Sequence, residues 1–164
     1  MNEEQKFIQR DRMRFIKNSL CSKLVILAIV FDVFFFVSIY QLNVGTYYYN
    51  YMMGISIIYN LIFMLAAFLS SEGVKNYKKN YSYLILLLGV IQLVRIFIYP
   101  VRAHSTPITA AGSVDGLAMG NTRFIVLVAF LILSAVCLFS AAVINFMKCT
   151  ALEAHMKTLE EKSA

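Results

Sequence analysis

The sequence predicts an all-α, polytopic membrane protein: a bundle of four transmembrane helices that forms one domain over residues 1–164. Of the 164 residues, 60% are hydrophobic, whereas a soluble domain usually has about 45–50%. The hydrophobic residues also fall into four long runs, each able at about 1.5 Å per residue to cross most of a hydrocarbon layer about 30 Å thick. Most lysines and arginines lie between these runs, as they do in membrane proteins.

Residues 1–23 precede the first run and predict an amphipathic helix that lies in the cytosolic membrane interface. Basic residues recur at helical spacing along one face, at Lys6, Arg10, Arg14 and Lys17. Apolar residues lie on the other side, at Ile8, Phe15, Ile16 and Leu20. Such a two-sided helix is typical of interfacial segments. The alternative is a solvated helix that only sets the topology.

The first three spans are predicted at residues 24–42, 52–70 and 83–101. The segment between the first two is uncharged and rich in tyrosine, which is typical of the aromatic belt at the outer membrane interface. Pro100 lies at the outer end of the third span, where it favours termination of the helix.

Residues 102–123 are predicted to form an extracytoplasmic loop, because small residues dominate and glycines recur at 112, 116 and 120. Residues 124–147 predict the fourth span. Residues 148–164 are polar but keep helix-forming residues, with an apolar stripe at Leu152, Met156 and Leu159. We therefore expect the fourth helix to continue into the cytosol as a helical extension.

The distribution of charge predicts that both termini lie in the cytosol. Of the 15 lysines and arginines, twelve fall in residues 1–23, residues 71–82 and the segment after Met147. The opposite side of the membrane has only Arg102 and Arg123. Cytosolic segments carry such an excess of basic residues. The net charge of +6 is therefore explained by topology and anionic lipid, and we expect the lipid bilayer, not nucleic acid, as its partner.

Polar residues inside the spans are the candidate site. Counted from the cytosolic edge, Asp32 lies at a depth of about 12 Å, Asn60 at about 15 Å and Gln92 at about 14 Å. Arg95 follows one turn further out and can reach the same level. Residues on the same helix faces are possible extensions of this network: Tyr99, Ser134 and Asn145.

Three interpretations of this network remain open. An Asp32–Arg95 ion pair can close a structural network between helices, because an unpaired charge at this depth costs about 3 kcal/mol. The same residues can form an ion or proton pathway in which Asp32 titrates. Alternatively, either charged residue can face another subunit and specify assembly.

The three cysteines are odd in number and lack a C-x-x-C spacing, so no structural disulfide is expected. Cys21 and Cys149 lie near the predicted cytosolic boundary. Palmitoylation and simple burial are the two interpretations for this pair.

No sequence motif indicates an enzyme, a cofactor or a metal site. The nucleophile-elbow, zinc-protease and phosphate-loop patterns are absent from the sequence, and a single intramembrane carboxylate provides no acid–base pair. Four helices also leave little interior for a private substrate path, and both tails have helix faces suited to docking. We therefore expect a non-enzymatic integral subunit of a larger membrane complex, in transport. The alternative is a homo-oligomeric ion channel, or a proton-coupled carrier of small solutes, that uses Asp32 and Arg95.

Overall fold

The structure is a computed structural model that describes residues 3–8, 18–40, 47–105, 107–110, 113–117 and 120–161. Its longer elements are five helices: α1 (Ser19–Tyr40), α2 (Tyr47–Lys75), α3 (Asn80–Ile98), α4 (Pro100–Ser105) and α5 (Asn121–Glu161). Two short strands, β1 (Pro107–Ala110) and β2 (Ser113–Leu117), lie between α4 and α5.

Four of these helices are long and apolar enough to span a membrane, which confirms the predicted helical class of fold and is compatible with a multi-pass membrane protein. The spanning lengths are Ser19–Ile39, Gly54–Lys75, Asn80–Ile98 and Asn121–Thr158. Most helix ends extend past the predicted boundaries, because hydropathy marks where apolar residues stop and not where backbone hydrogen bonding stops. The third span instead ends earlier, at Ile98. Tyr99 keeps helical backbone and donates its N–H to the Arg95 carbonyl, but Pro100 has no N–H with which to continue the helix. Pro100 instead begins α4, where its missing N–H is tolerated.

Helix α5 is one continuous helix of 41 residues. At about 1.5 Å per residue it is about 60 Å long, roughly twice the thickness of the hydrocarbon layer. A salt bridge of 3.4 Å between Lys79 Nζ and a carboxylate oxygen of Glu153 attaches its distal half to the start of α3. The helix therefore continues past residue 147, as the sequence predicts, and the cytosolic location of its distal part stays a prediction.

The predicted loop at residues 102–123 contains two short strands that were not predicted from the sequence. After α4, strands β1 and β2 pair antiparallel, with Thr109 opposite Val114 and Ala110 opposite Ser113. The β-branched residues Ile108, Thr109 and Val114 favour extended backbone over helix here.

Only part of the predicted N-terminal amphipathic helix lies within the described residues. Residues 3–8 are helical, and Lys6 forms a 3.4 Å salt bridge with Glu3. Phe7 and Ile8 are more than half exposed. Arg10, Arg14 and Lys17 lie outside the described residues, so the interfacial amphipathic helix stays a prediction.

The outside of the bundle is apolar, and its buried side chains include polar ones beside the apolar core. On α3, for example, the buried residues include Ser82, Gln92 and Arg95, whereas the exposed ones are large and apolar: Leu86, Leu87, Val90, Leu93, Val94 and Phe97. This arrangement suits a hydrocarbon solvent, in which polar groups must find partners within the protein.

The four spanning helices form a ring in which α1 contacts α2 and α5, and α3 contacts α5 and, less extensively, α2. Helices α1 and α3 therefore lie at opposite corners, as do α2 and α5. Close approach between α3 and α5 depends on a small residue, because a Cβ atom at Gly89 would lie 3.1 Å from the Phe139 ring.

A tight turn joins α2 to α3 and fixes the relative position of these two helices. The N–H of Lys78 bonds to the carbonyl of Gly73 and the N–H of Tyr77 bonds to the carbonyl of Val74, which is the Schellman pattern of helix ends. Tyr77 has the left-handed φ of 52° that this motif requires and that glycine usually supplies. Partial burial raises the pKa of the Tyr77 phenol, so this side chain stays uncharged.

Candidate functional site

A buried ion pair lies at the centre of the bundle. Arg95 Nη1 is 2.7 Å from Asp32 Oδ1, and the two side chains are 3% and 0% exposed. Asp32 belongs to α1 and Arg95 to α3, the helices at opposite corners. The arginine side chain therefore reaches across the centre of the ring to α1, whose Asp32 is also contacted by Gln92 of α3.

Hydrogen bonds extend this ion pair to all four spanning helices. Gln92 Nε2 donates to Asp32 Oδ1 at 2.8 Å and to Ser134 Oγ on α5 at 3.1 Å. Arg95 Nη2 donates to Asn60 Oδ1 on α2. We refer to Asp32, Asn60, Gln92, Arg95 and Ser134 as the polar layer. The Ser134 hydroxyl also donates to the carbonyl oxygen of Ala28 at 3.0 Å, which attaches α5 to the backbone of α1.

Two aromatic rings contact the guanidinium group of Arg95. Its Cζ atom lies 4.4 Å from the centre of the Phe35 ring and 4.8 Å from the centre of the Tyr59 ring. Cation–π contacts of this kind contribute about 0.5–2 kcal/mol, with the larger values in desolvated sites. Arg95 is therefore held by a carboxylate, an amide and two rings.

Pairing explains how two charges can remain at this depth. Insertion scales assign about 2.5–3.5 kcal/mol to a single charged residue at the centre of a transmembrane helix. In the polar layer Asp32 receives two hydrogen bonds, and the arginine charge lies 2.7 Å from the carboxylate. We infer that loss of either charged partner is far more destabilising than loss of both, because a lone buried charge is left behind.

Some polar atoms of the layer have no hydrogen-bond partner among the described residues. They are Asp32 Oδ2, Asn60 Nδ2, Gln92 Oε1 and Arg95 Nε. Two further buried atoms on α2, Ser56 Oγ and Tyr59 OH, also have no hydrogen-bond partner among the described residues. The layer therefore retains hydrogen-bonding capacity that its own side chains do not use. Each buried polar group that stays unsatisfied costs about 1–3 kcal/mol of stability.

The predicted extensions of the network lie in three different places. Ser134 belongs to the polar layer, as its bond to Gln92 shows. Tyr99 is half-buried and packs beside Phe35 in an apolar cluster. Asn145 lies eleven residues beyond Ser134 on α5, or about 16 Å along the helix axis. Its side-chain amide donates to Ser82 Oγ at 2.7 Å, away from the polar layer.

Asn145 is part of a second polar cluster near the end of the bundle at which α1 begins. Ser22 Oγ and Ser71 Oγ share a hydrogen bond of 2.7 Å that joins α1 to α2. The Asn18 side-chain amide donates to the carbonyl oxygen of Val74. Together with the Asn145–Ser82 bond between α5 and α3, these contacts hold neighbouring helices together without any charged group.

The thiols of Cys21 and Cys149 are buried, with 0% and 2% of each residue exposed. Cys149 Sγ donates to the backbone carbonyl of Tyr77 at 3.5 Å, and Cys21 belongs to the apolar core. Burial leaves neither sulfur accessible to an acyl donor in the folded protein. The structure therefore supports simple burial over palmitoylation.

Sequence reasoning missed the two rings that contact Arg95. Phe35 lies three residues after Asp32 on α1 and therefore on the same helix face, which is the signal that places it. Tyr59 directly precedes Asn60, so the sequence places it near the polar layer but does not indicate that its ring contacts Arg95. Across the described ranges, no group of three or more histidine, cysteine, aspartate or glutamate side chains is placed to hold a metal ion.

Comparison with known proteins adds no family assignment. The chain matches no family model, and no curated protein and no solved structure shows significant similarity to it. The function must therefore be argued from the geometry of the chain itself.

Proposed function

We propose that this chain is a non-enzymatic integral subunit of a larger membrane complex that acts in transport, with both termini in the cytosol. One observation carries the proposal: the charges of Asp32 and Arg95 neutralise each other inside a single chain, bonded to all four spanning helices. Such a pair serves to hold a bundle together. The surface that remains for function is then the outside of the bundle and its extensions.

The distal half of α5 supports docking to another protein. This helix is about 60 Å long, so a large part of it extends beyond the hydrocarbon layer when the rest spans it. Leu152 and Met156 are half-buried and lie four residues apart on one face, between exposed neighbours. An apolar stripe of this kind on a helix is suited to a partner helix or groove.

The test is purification from the native membrane in a mild detergent, followed by mass spectrometry of the proteins that co-elute. We expect a larger membrane protein in stoichiometric amount. The double variant Leu152→Ser/Met156→Ser should lose this partner, while the control Ala151→Ser, at an exposed position beside the stripe, should retain it. Elution of the wild-type chain alone, as a discrete oligomer, would contradict the proposal.

A second candidate function is a homo-oligomeric ion channel or a proton-coupled carrier of small solutes. The observation that favours it is Asp32 Oδ2, a buried carboxylate oxygen with no hydrogen-bond partner in the described part of the chain. If transport is intrinsic, the purified chain in liposomes should conduct ions or protons, and Asp32→Asn should abolish the flux with the oligomer intact. Liposomes that show no flux above those without protein would exclude this candidate.

A further inference from the structure

The unpartnered atoms of the polar layer include both donors and acceptors. Asp32 Oδ2 and Gln92 Oε1 accept hydrogen bonds, whereas Asn60 Nδ2 and Arg95 Nε donate them. Each atom belongs to a planar group whose other polar atom is already bonded within the layer. The four atoms are therefore fixed in orientation within the polar layer. Asp32, Asn60 and Gln92 are 0% exposed and Arg95 is 2% exposed.

The chemistry of these atoms selects the ligand. The charges of Asp32 and Arg95 compensate each other, so a charged ligand would leave a net charge in the centre of the bundle. A neutral molecule that both donates and accepts hydrogen bonds satisfies acceptors and donors together. Water is the smallest such molecule, and buried waters typically make two to four hydrogen bonds to otherwise unsatisfied polar groups.

We propose that the polar layer is a binding site for ordered water, held between Asp32 Oδ2, Gln92 Oε1, Asn60 Nδ2 and Arg95 Nε. The water molecules complete the hydrogen bonding of the ion pair and of both amides, and they link α1, α2 and α3 at the centre of the bundle. This inference does not depend on whether the chain is a subunit or a channel.

The Asn145 cluster provides an internal control. Asn145 is also 0% exposed, but each polar atom of its amide has a partner: Nδ2 donates to Ser82 Oγ and Oδ1 lies 3.9 Å from Cys149 Sγ. Two equally buried asparagine side chains, Asn60 and Asn145, therefore differ in whether a polar atom is left with no partner among the described residues.

Solid-state NMR of the full chain in lipid vesicles tests the site directly. Magnetisation is transferred from water protons to the side-chain amides, and the build-up is compared at Asn60, Gln92 and Asn145. We expect clear magnetisation transfer from water to the side-chain amides of Asn60 and Gln92, and none to the side-chain amide of Asn145. The measurement uses the wild-type protein, so it does not depend on any variant that fails to fold.

Two outcomes would overturn the proposal: no transfer at Asn60 and Gln92, or a build-up that is no faster there than at Asn145. A variant gives a second readout. Asn60→Leu removes the Nδ2 donor, and transfer to Gln92 should then weaken while the Asn145 signal keeps its chemical shift. Unchanged transfer to Gln92 in this variant would contradict a shared water site.

Discussion

Replacement of Arg95 by leucine is expected to lower the free energy of unfolding by about 3–5 kcal/mol, because it leaves Asp32 as an uncompensated buried charge. The double variant Asp32→Leu/Arg95→Leu should recover a large part of this loss, since neither charge remains. Both effects can be measured by reversible unfolding in mixed micelles of lipid and sodium dodecyl sulfate. A double variant less stable than Arg95→Leu would contradict the structural role of the pair.

An exposed ion pair that joins the start of α3 to α5, Lys79–Glu153, is the matched control. Lys79 and Glu153 are 36% and 56% exposed at their side chains and lie 3.4 Å apart. Glu153→Gln should therefore change the free energy of unfolding by only about 0–1 kcal/mol. A loss at Glu153 as large as the loss at Arg95 would mean that charge removal in general, and not burial, destabilises the bundle.

Replacement of Gly73 by alanine is expected to destabilise the turn between α2 and α3. A Cβ atom at this position would overlap Tyr81 Cγ, the ring atom attached to Cβ, which has little freedom to move away. Overpacking of this kind typically costs about 1–3 kcal/mol. The free energy of unfolding in the same micelle assay measures the effect.

Gly54 is the matched control for Gly73. It also lies within α2, but a Cβ atom there would meet nothing within 4 Å. Gly54→Ala should therefore stabilise the protein slightly, by roughly 0.5–1 kcal/mol, because alanine is the better helix former. A further variant, Tyr81→Ala, should reduce the loss caused by Gly73→Ala. Equal destabilisation by the two alanines would contradict the close packing of Gly73.

The existence of the four spans could be predicted from the sequence because long apolar runs are a strong signal. That Asp32, Asn60 and Gln92 lie at one level of the bundle could also be predicted, since position along a helix follows directly from residue number. The partners of these residues could not. The pairing of Asp32 with Arg95 depends on the order of helices around the ring, which hydropathy does not encode.

A shared helix face predicted contact with the polar layer less reliably than position along the helix did. Ser134 and Asn145 share a face of α5, yet only Ser134 reaches the polar layer, because the two residues are about 16 Å apart along the helix axis. The Schellman turn was missed for a different reason: Tyr77 occupies the left-handed position at which a glycine would have been the recognisable signal.

The Asp32–Arg95 pair forms within one chain, and a distance measurement can distinguish this from pairing between chains. Chains with 15N in the Arg95 guanidinium and 13C in the Asp32 carboxyl are diluted into unlabelled chains in lipid, and nitrogen–carbon dipolar dephasing is recorded by solid-state NMR. The Nη1–Oδ1 distance of 2.7 Å predicts strong dephasing that dilution leaves unchanged. Dephasing that disappears on dilution would show that the pair forms between chains, and no dephasing at any dilution would show that it does not form.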